Sequence, residues 1–187
     1  TAAATGLPAG FTVEVTSTSA ITDAGSTPNV IATYKIYDAA HSDVTSFFTN
    51  VTTADGTLTV NPVAITVTAN SATKAYDGTA LTDGGWSVTS GAFVGADGIA
   101  SAAVTGTQTA VGSSANTLES YTLKPGTVAG NYQITKADGT LTVTNATGLV
   151  TITANDAAKT YDGTALTNAT AAATGLPAGF TVEVTST

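Results

Sequence analysis

Lys74, Tyr76, Asp77, Gly78 and Thr79 stand within six positions, and Lys159, Tyr161, Asp162, Gly163 and Thr164 repeat the spacing. A carboxylate beside a hydroxyl and backbone carbonyls is the beginning of a calcium site, which makes Asp77 and Asp162 candidate metal ligands. An oxygen cage needs several carboxylates close in sequence, and each segment supplies one. A turn with glycine in the left-handed region and tyrosine covering the end of a core accounts for the same letters. The lysines suggest a second chemistry. A desolvated lysine amine can attack the side-chain carbonyl of Asn or Asp with help from a protonated acid, forming an internal amide with loss of ammonia or water. Lys74 and Lys35, the latter beside Tyr34 and Tyr37, are the candidate nucleophiles. Glu119, the only glutamate between residues 64 and 146, is the candidate acid. Lysines on a solvated strand face are the plainer reading of the same residues.

The remaining reactive inventory is small. There is no cysteine and no methionine, so disulfides, thiol catalysis and Cys-based zinc sites are excluded. The single histidine, His41, lies between Asp38 and Asp43 in a loop-like stretch. It has none of the nucleophile-elbow context of a Ser-His-Asp hydrolase. Trp86, the only tryptophan, follows Gly84-Gly85 and is a candidate sugar-stacking platform or a core plug. Three Asn-x-Thr triplets start at Asn50, Asn145 and Asn168, a pattern that chance supplies in a chain about one-fifth threonine. No catalytic constellation and no cofactor motif emerges, so the expectation is a protein that is not an enzyme.

Five basic residues, all lysine, against thirteen acidic ones give a net charge of −8. That balance offers no electrostatic footprint for nucleic acid or an anionic membrane. No apolar run is long enough to span a bilayer and no signal sequence stands at Thr1, so a soluble segment without membrane insertion is expected.

The organisation comes from repeats. Residues 1–18 and 170–187 are the same eighteen letters, TAAATGLPAGFTVEVTST, at an offset of 169. Within that period, 64–82 matches 150–167 and 51–62 matches 134–145. Residues 23–36 match 110–123, aligning Gly25 with Gly112, Asn29 with Asn116 and Tyr34 with Tyr121. The predicted modules are therefore 64–146, which holds every segment, 1–63, the back of a module without its opening strand, and 147–187, the front of another.

Alternation of apolar residues and threonine predicts strands at 11–15, 32–37, 65–69, 132–135, 140–143 and 151–154. Residues 40–48 are the one place where a helical turn is expected. Asp-Gly between 132–135 and 140–143 predicts a tight hairpin with Gly139 at positive φ, and a second hairpin is expected at 48–60. The fold class is all-β, as tandem Ig-like β-sandwich modules, with a β-grasp-like mixed sheet as the alternative.

The order V-T-A-N-x3-K-x-Y-D-G-T, then G-S-x-x-N-x4-Y, then D-G-T-L-T-V resembles the YDG/MBG-type repeats of large bacterial surface adhesins. The resemblance implies tandem Ig-like or mucin-binding-type modules on a secreted, surface-anchored protein, and it transfers no catalytic or ligand residue. The expected function is a non-catalytic stalk or fibre repeat on the bacterial cell surface. Its partners are neighbouring copies, which could add head to tail by strand complementation. The alternative is a module that holds a glycan or host protein weakly and gains from avidity, with Trp86, Phe93 and Tyr132 exposed together.

Overall fold

The structure is a computed structural model and describes residues 3–185. Among these residues it is all-β, with thirteen strands and two short 3-10 turns. The strands are β1 (Thr12–Thr16), β2 (Gly25–Asn29), β3 (Thr33–Tyr37), β4 (Gly56–Val60), β5 (Val63–Ala69), β6 (Ala72–Ala75) and β7 (Trp86–Ser90). They continue with β8 (Ile99–Thr105), β9 (Gly112–Leu123), β10 (Tyr132–Ala137), β11 (Gly139–Thr144), β12 (Thr151–Ala154) and β13 (Ala171–Thr174). The helical turn expected near 40–48 is the 3-10 turn Thr45–Phe47.

Two sheets occupy the middle of the sequence. One has the strand order β10-β5-β7 and the other β6-β11-β9-β8. The second sheet is mixed, because β11 runs antiparallel to β9 but parallel to β6, with Leu141 opposite Ala72 and Val143 opposite Lys74. Three two-stranded ladders lie on either side in sequence: β1-β3, β2-β4 and β12-β13.

The chain forms two compact units. The first is Thr1–Ile65 with Ser90–Gly98 and Leu123–Ile134. Its buried apolar residues include Ile36, Val44, Ile65 and Tyr132. The period-2 alternation of β1 is reproduced here, with Val13 and Val15 turned inward and Glu14 outward. The second is Thr66–Thr89, Ile99–Thr122 and Thr135–Thr187. Its core holds Val67, Ala69, Leu118, Leu141 and Val143, together with one buried polar side chain, Asn116.

The two predicted hairpins are not formed. β10 and β11, although separated by a single residue, belong to different sheets, and residues 48–54 carry no strand facing β4. At Asp138-Gly139 the chain passes from one sheet to the other instead of turning back. Gly139 does not adopt a positive φ. It is required for a different reason: a Cβ there would lie 2.1 Å from the Asn70 carbonyl oxygen. Asp138 secures the crossing by accepting the Leu118 amide at 3.0 Å.

Candidate functional site

The K-x-Y-D-G-T segment folds as a self-locking turn. Lys74 Nζ donates to Asp77 Oδ1 at 2.7 Å and to Thr79 Oγ1 at 2.6 Å. The Thr79 amide and hydroxyl both donate to the same Oδ1, at 2.9 and 2.8 Å. Gly78, at φ 83°, supplies the left-handed residue that brings Thr79 back over the carboxylate. These bonds hold the Asp77 carboxyl well below the usual carboxylate range, the lysine contributing most.

The second copy repeats the geometry. Lys159 reaches Asp162 at 2.8 Å and Thr164 at 2.6 Å, and Asp162 is lowered to about 2 by the same partners. Tyr76 packs edge-on against Phe180, with centroids 5.8 Å apart, whereas its counterpart Tyr161 is 94% exposed. The turn is identical in both settings, so the Lys-Asp-Thr lock forms it without help from the tyrosine. The cation beside each of these carboxylates is the lysine ammonium. Among the described residues no three His, Cys, Asp or Glu side chains are grouped to hold a metal.

The candidate crosslink residues lie apart. Lys74 is opposite Val143, which is opposite Gly112, and Glu119 sits seven residues farther along β9. Glu119 accepts the Thr105 hydroxyl, and its carbonyl accepts Lys136. Lys35 pairs with Asp43 at 3.1 Å, both side chains well exposed. Asp43 is lowered to about 2, chiefly by the Thr45 hydroxyl. Asp43-Val44-Thr45 shares the Asp-Thr half of the lock, with the Thr45 amide and hydroxyl on Oδ1, but Lys35 meets the other carboxylate oxygen and no glycine makes the turn. His41 stacks on Tyr37 in the neighbouring loop, with centroids 4.5 Å apart.

The aromatic candidates are not displayed together. Trp86 is half-buried at the start of β7. Tyr132 is 8% exposed and lies against Phe93. Its hydroxyl donates to Asp97 at 2.6 Å and accepts the Val94 amide, so the ring tethers the 93–97 loop and its polar tip is spent. The Asp97 carboxylate raises the tyrosine pKa.

One residue to which the sequence assigned no role organises the second unit. Asn116 is fully buried, and its Nδ2 donates to the carbonyls of Asn70 at 2.8 Å and Asp83 at 2.9 Å. Asn70 ends the β5 segment and Asp83 precedes β7, so one carboxamide ties both to β9. Its Oδ1 has no partner, and a Cβ at Gly106 would lie 2.7 Å from it. Gly139 sits opposite Asn116 in the β9-β11 register. The only sequence signal was the alignment of Asn29 with Asn116, and the structure reproduces it: Asn29 is opposite Gly56 in the β2-β4 ladder.

The chain matches no curated protein and no solved structure. A family model does match the middle of the sequence, over the stretch that contains the first lock, the Asn116 clasp and the parallel β6-β11 pair. Residues 65–142 match the MBG domain of the YGX type, a repeat domain of bacterial surface proteins.

Proposed function

We propose that the chain is a non-catalytic stalk repeat of a secreted bacterial surface adhesin, displayed outside the cell and serving to extend a binding region from it. The observation that carries this reading is how the MBG domain is entered and left. The polypeptide enters through β5 and leaves through β11, which lie in different sheets. Tension along an array therefore falls on the backbone bonds of the parallel β6-β11 pair and on the Asn116 clasp, which must break before the domain extends. The polar residues of the repeated motif are spent on one another, which suits a module whose value is shape and cohesion.

Single-molecule pulling on the full chain tests this. The MBG domain should give a discrete unfolding event, and Asn116→Ala should lower its force. A domain that yields without a resolved event overturns the stalk reading. So does tight glycan binding abolished by Trp86→Ala, which would make this a binding module.

A further inference from the structure

We propose that the Tyr-Asp-Gly turn at 76–78 is a seat for an aromatic ring and that Phe180, carried on the turn at 177–180, is its occupant. The contact joins the domain at 65–142 to the stretch that follows it. This rests on the reading of the chain as an array of structural modules and names the joint between two of them.

The motif contains a side chain that its own turn does not need. The Lys-Asp-Thr bonds close the turn without a neighbour for the tyrosine, since the lock at 159–164 is complete while Tyr161 is 94% exposed. Tyr76 is nevertheless held firmly. Its amide donates to the Thr144 carbonyl at 2.8 Å, which extends the β6-β11 pairing by one step and ties the residue to the sheet. Its ring is half-buried, and Phe180 stands edge-on to it at 88°, with centroids 5.8 Å apart. In that perpendicular arrangement the positive edge of one ring meets the negative face of the other.

Gly78 completes the seat. At φ 83° it makes the turn, as Gly163 does at φ 78° in the other copy. The two differ in what lies over them. A Cβ on Gly78 would come 2.8 Å from Cε2 and 3.3 Å from Cζ of Phe180, whereas a Cβ on Gly163 would meet nothing within 4 Å. The Phe180 ring thus rests on bare backbone at Gly78 and against the ring of Tyr76.

The occupant is also a preformed element. Residues 177–180 are a β-turn closed by the Phe180 amide on the Pro177 carbonyl at 3.2 Å, with Gly179 at φ 85° in its third position. The same turn forms at 8–11, where the bond is again 3.2 Å and Gly10 has φ 83°. There Phe11 stands edge-on to Phe48 at 6.2 Å, so in both places the turn offers its phenylalanine to another aromatic ring. The seat and its occupant lie in the same compact unit. Each is closed by its own hydrogen bonds, so little is left to order when they meet. The contact itself carries no charge, and salt should not loosen it.

Nuclear magnetic resonance of the full chain tests this, with Gly163 as the internal reference for Gly78. The Phe180 ring current should displace the Gly78 α-proton signals from those of Gly163. Phe180→Ala should bring the two glycines together, and Phe11→Ala should not. Backbone relaxation should show residues 171–180 tumbling with residues 65–142 in the wild type and more freely in Phe180→Ala. Tyr76→Leu keeps an apolar side chain but removes the ring, and should lower the docked-to-undocked ratio about two- to tenfold. Gly78 signals that match those of Gly163, signals and relaxation unmoved by Phe180→Ala, or a ratio indifferent to Tyr76→Leu would each overturn the proposal. None of these readouts involves the force response of residues 65–142. A joint that fails leaves the stalk reading in place, and a domain that yields without a resolved event leaves the joint in place.

Discussion

Asn116 carries much of the structure, because among the described residues it is the one fully buried polar residue and its amide serves two backbone carbonyls. Truncation to alanine would orphan both carbonyls and leave a small void, and should cost about 2–4 kcal/mol in chemical denaturation. Asn116→Asp should cost more at neutral pH, since a carboxylate would face the oxygens of Asn70 and Asp83 with no proton to offer. The Lys-Asp-Thr locks act differently. Their carboxylates are exposed while the lysines are half-buried, so the charge pair is partly screened and its value lies chiefly in fixing a turn. Asp77 has a lower pKa folded than unfolded, so its contribution is complete above about pH 4 and disappears as pH falls through the folded value. Thermal melts of the wild type and Asp77→Asn should therefore differ near pH 5 and converge toward pH 2 and below. Lys74 and Lys159 are each held in a salt bridge with an aspartate, whereas an internal amide needs a neutral, desolvated amine. The intact mass should equal the sequence value, with no loss of water or ammonia.

At the level of elements, about half of the strands were legible and their pairing was not. Period-2 alternation located β1, β3, β5, β10, β11 and β12; all but β12 bury residues on one face, and the alternation of Val13, Glu14 and Val15 survives in the burial of β1. β6 was missed: Ala72–Ala75 reads ATKA, which has no apolar face to notice, and its partner lies almost seventy residues away in β11. The Asp-Gly step misled for a physical reason. It marks a change of direction, but a local signal cannot say whether the chain returns to its own sheet or crosses to another. The Asn116 clasp was equally hidden, since an asparagine announces nothing until the carbonyls it meets are placed. Gly139 separates the two readings experimentally. With its φ outside the positive range, alanine is penalised by the close approach of the Ala69 and Asn70 carbonyls, so Gly139→Ala should destabilise by at least about 1–3 kcal/mol. Gly130, with open space around its Cβ position, should tolerate alanine within about 0.5 kcal/mol. A true hairpin glycine at positive φ would show a loss from strain alone, without dependence on the size of residue 70's surroundings.

At the scale of the whole molecule, cohesion is uneven, and the unevenness follows the repeats. Between residues 65 and 144 lie most of the fully buried side chains, Val67, Asn116, Leu141 and Val143 among them. From 149 to 170 every residue is exposed, although the letters nearly repeat those of 64–82. The same sequence is thus core in one place and surface in another, and what differs is the presence of β10 and β11 to cover it. Local opening free energies should track this difference. Amide hydrogen exchange at low protein concentration should show strong protection in β5, β9 and β11, and weak protection in β12 and β4. Protection as strong in β12 and β4 as in β5, β9 and β11 would mean that each flank closes its own sheet edge, and that the buried counterpart at 65–142 is a poor guide to the repeat.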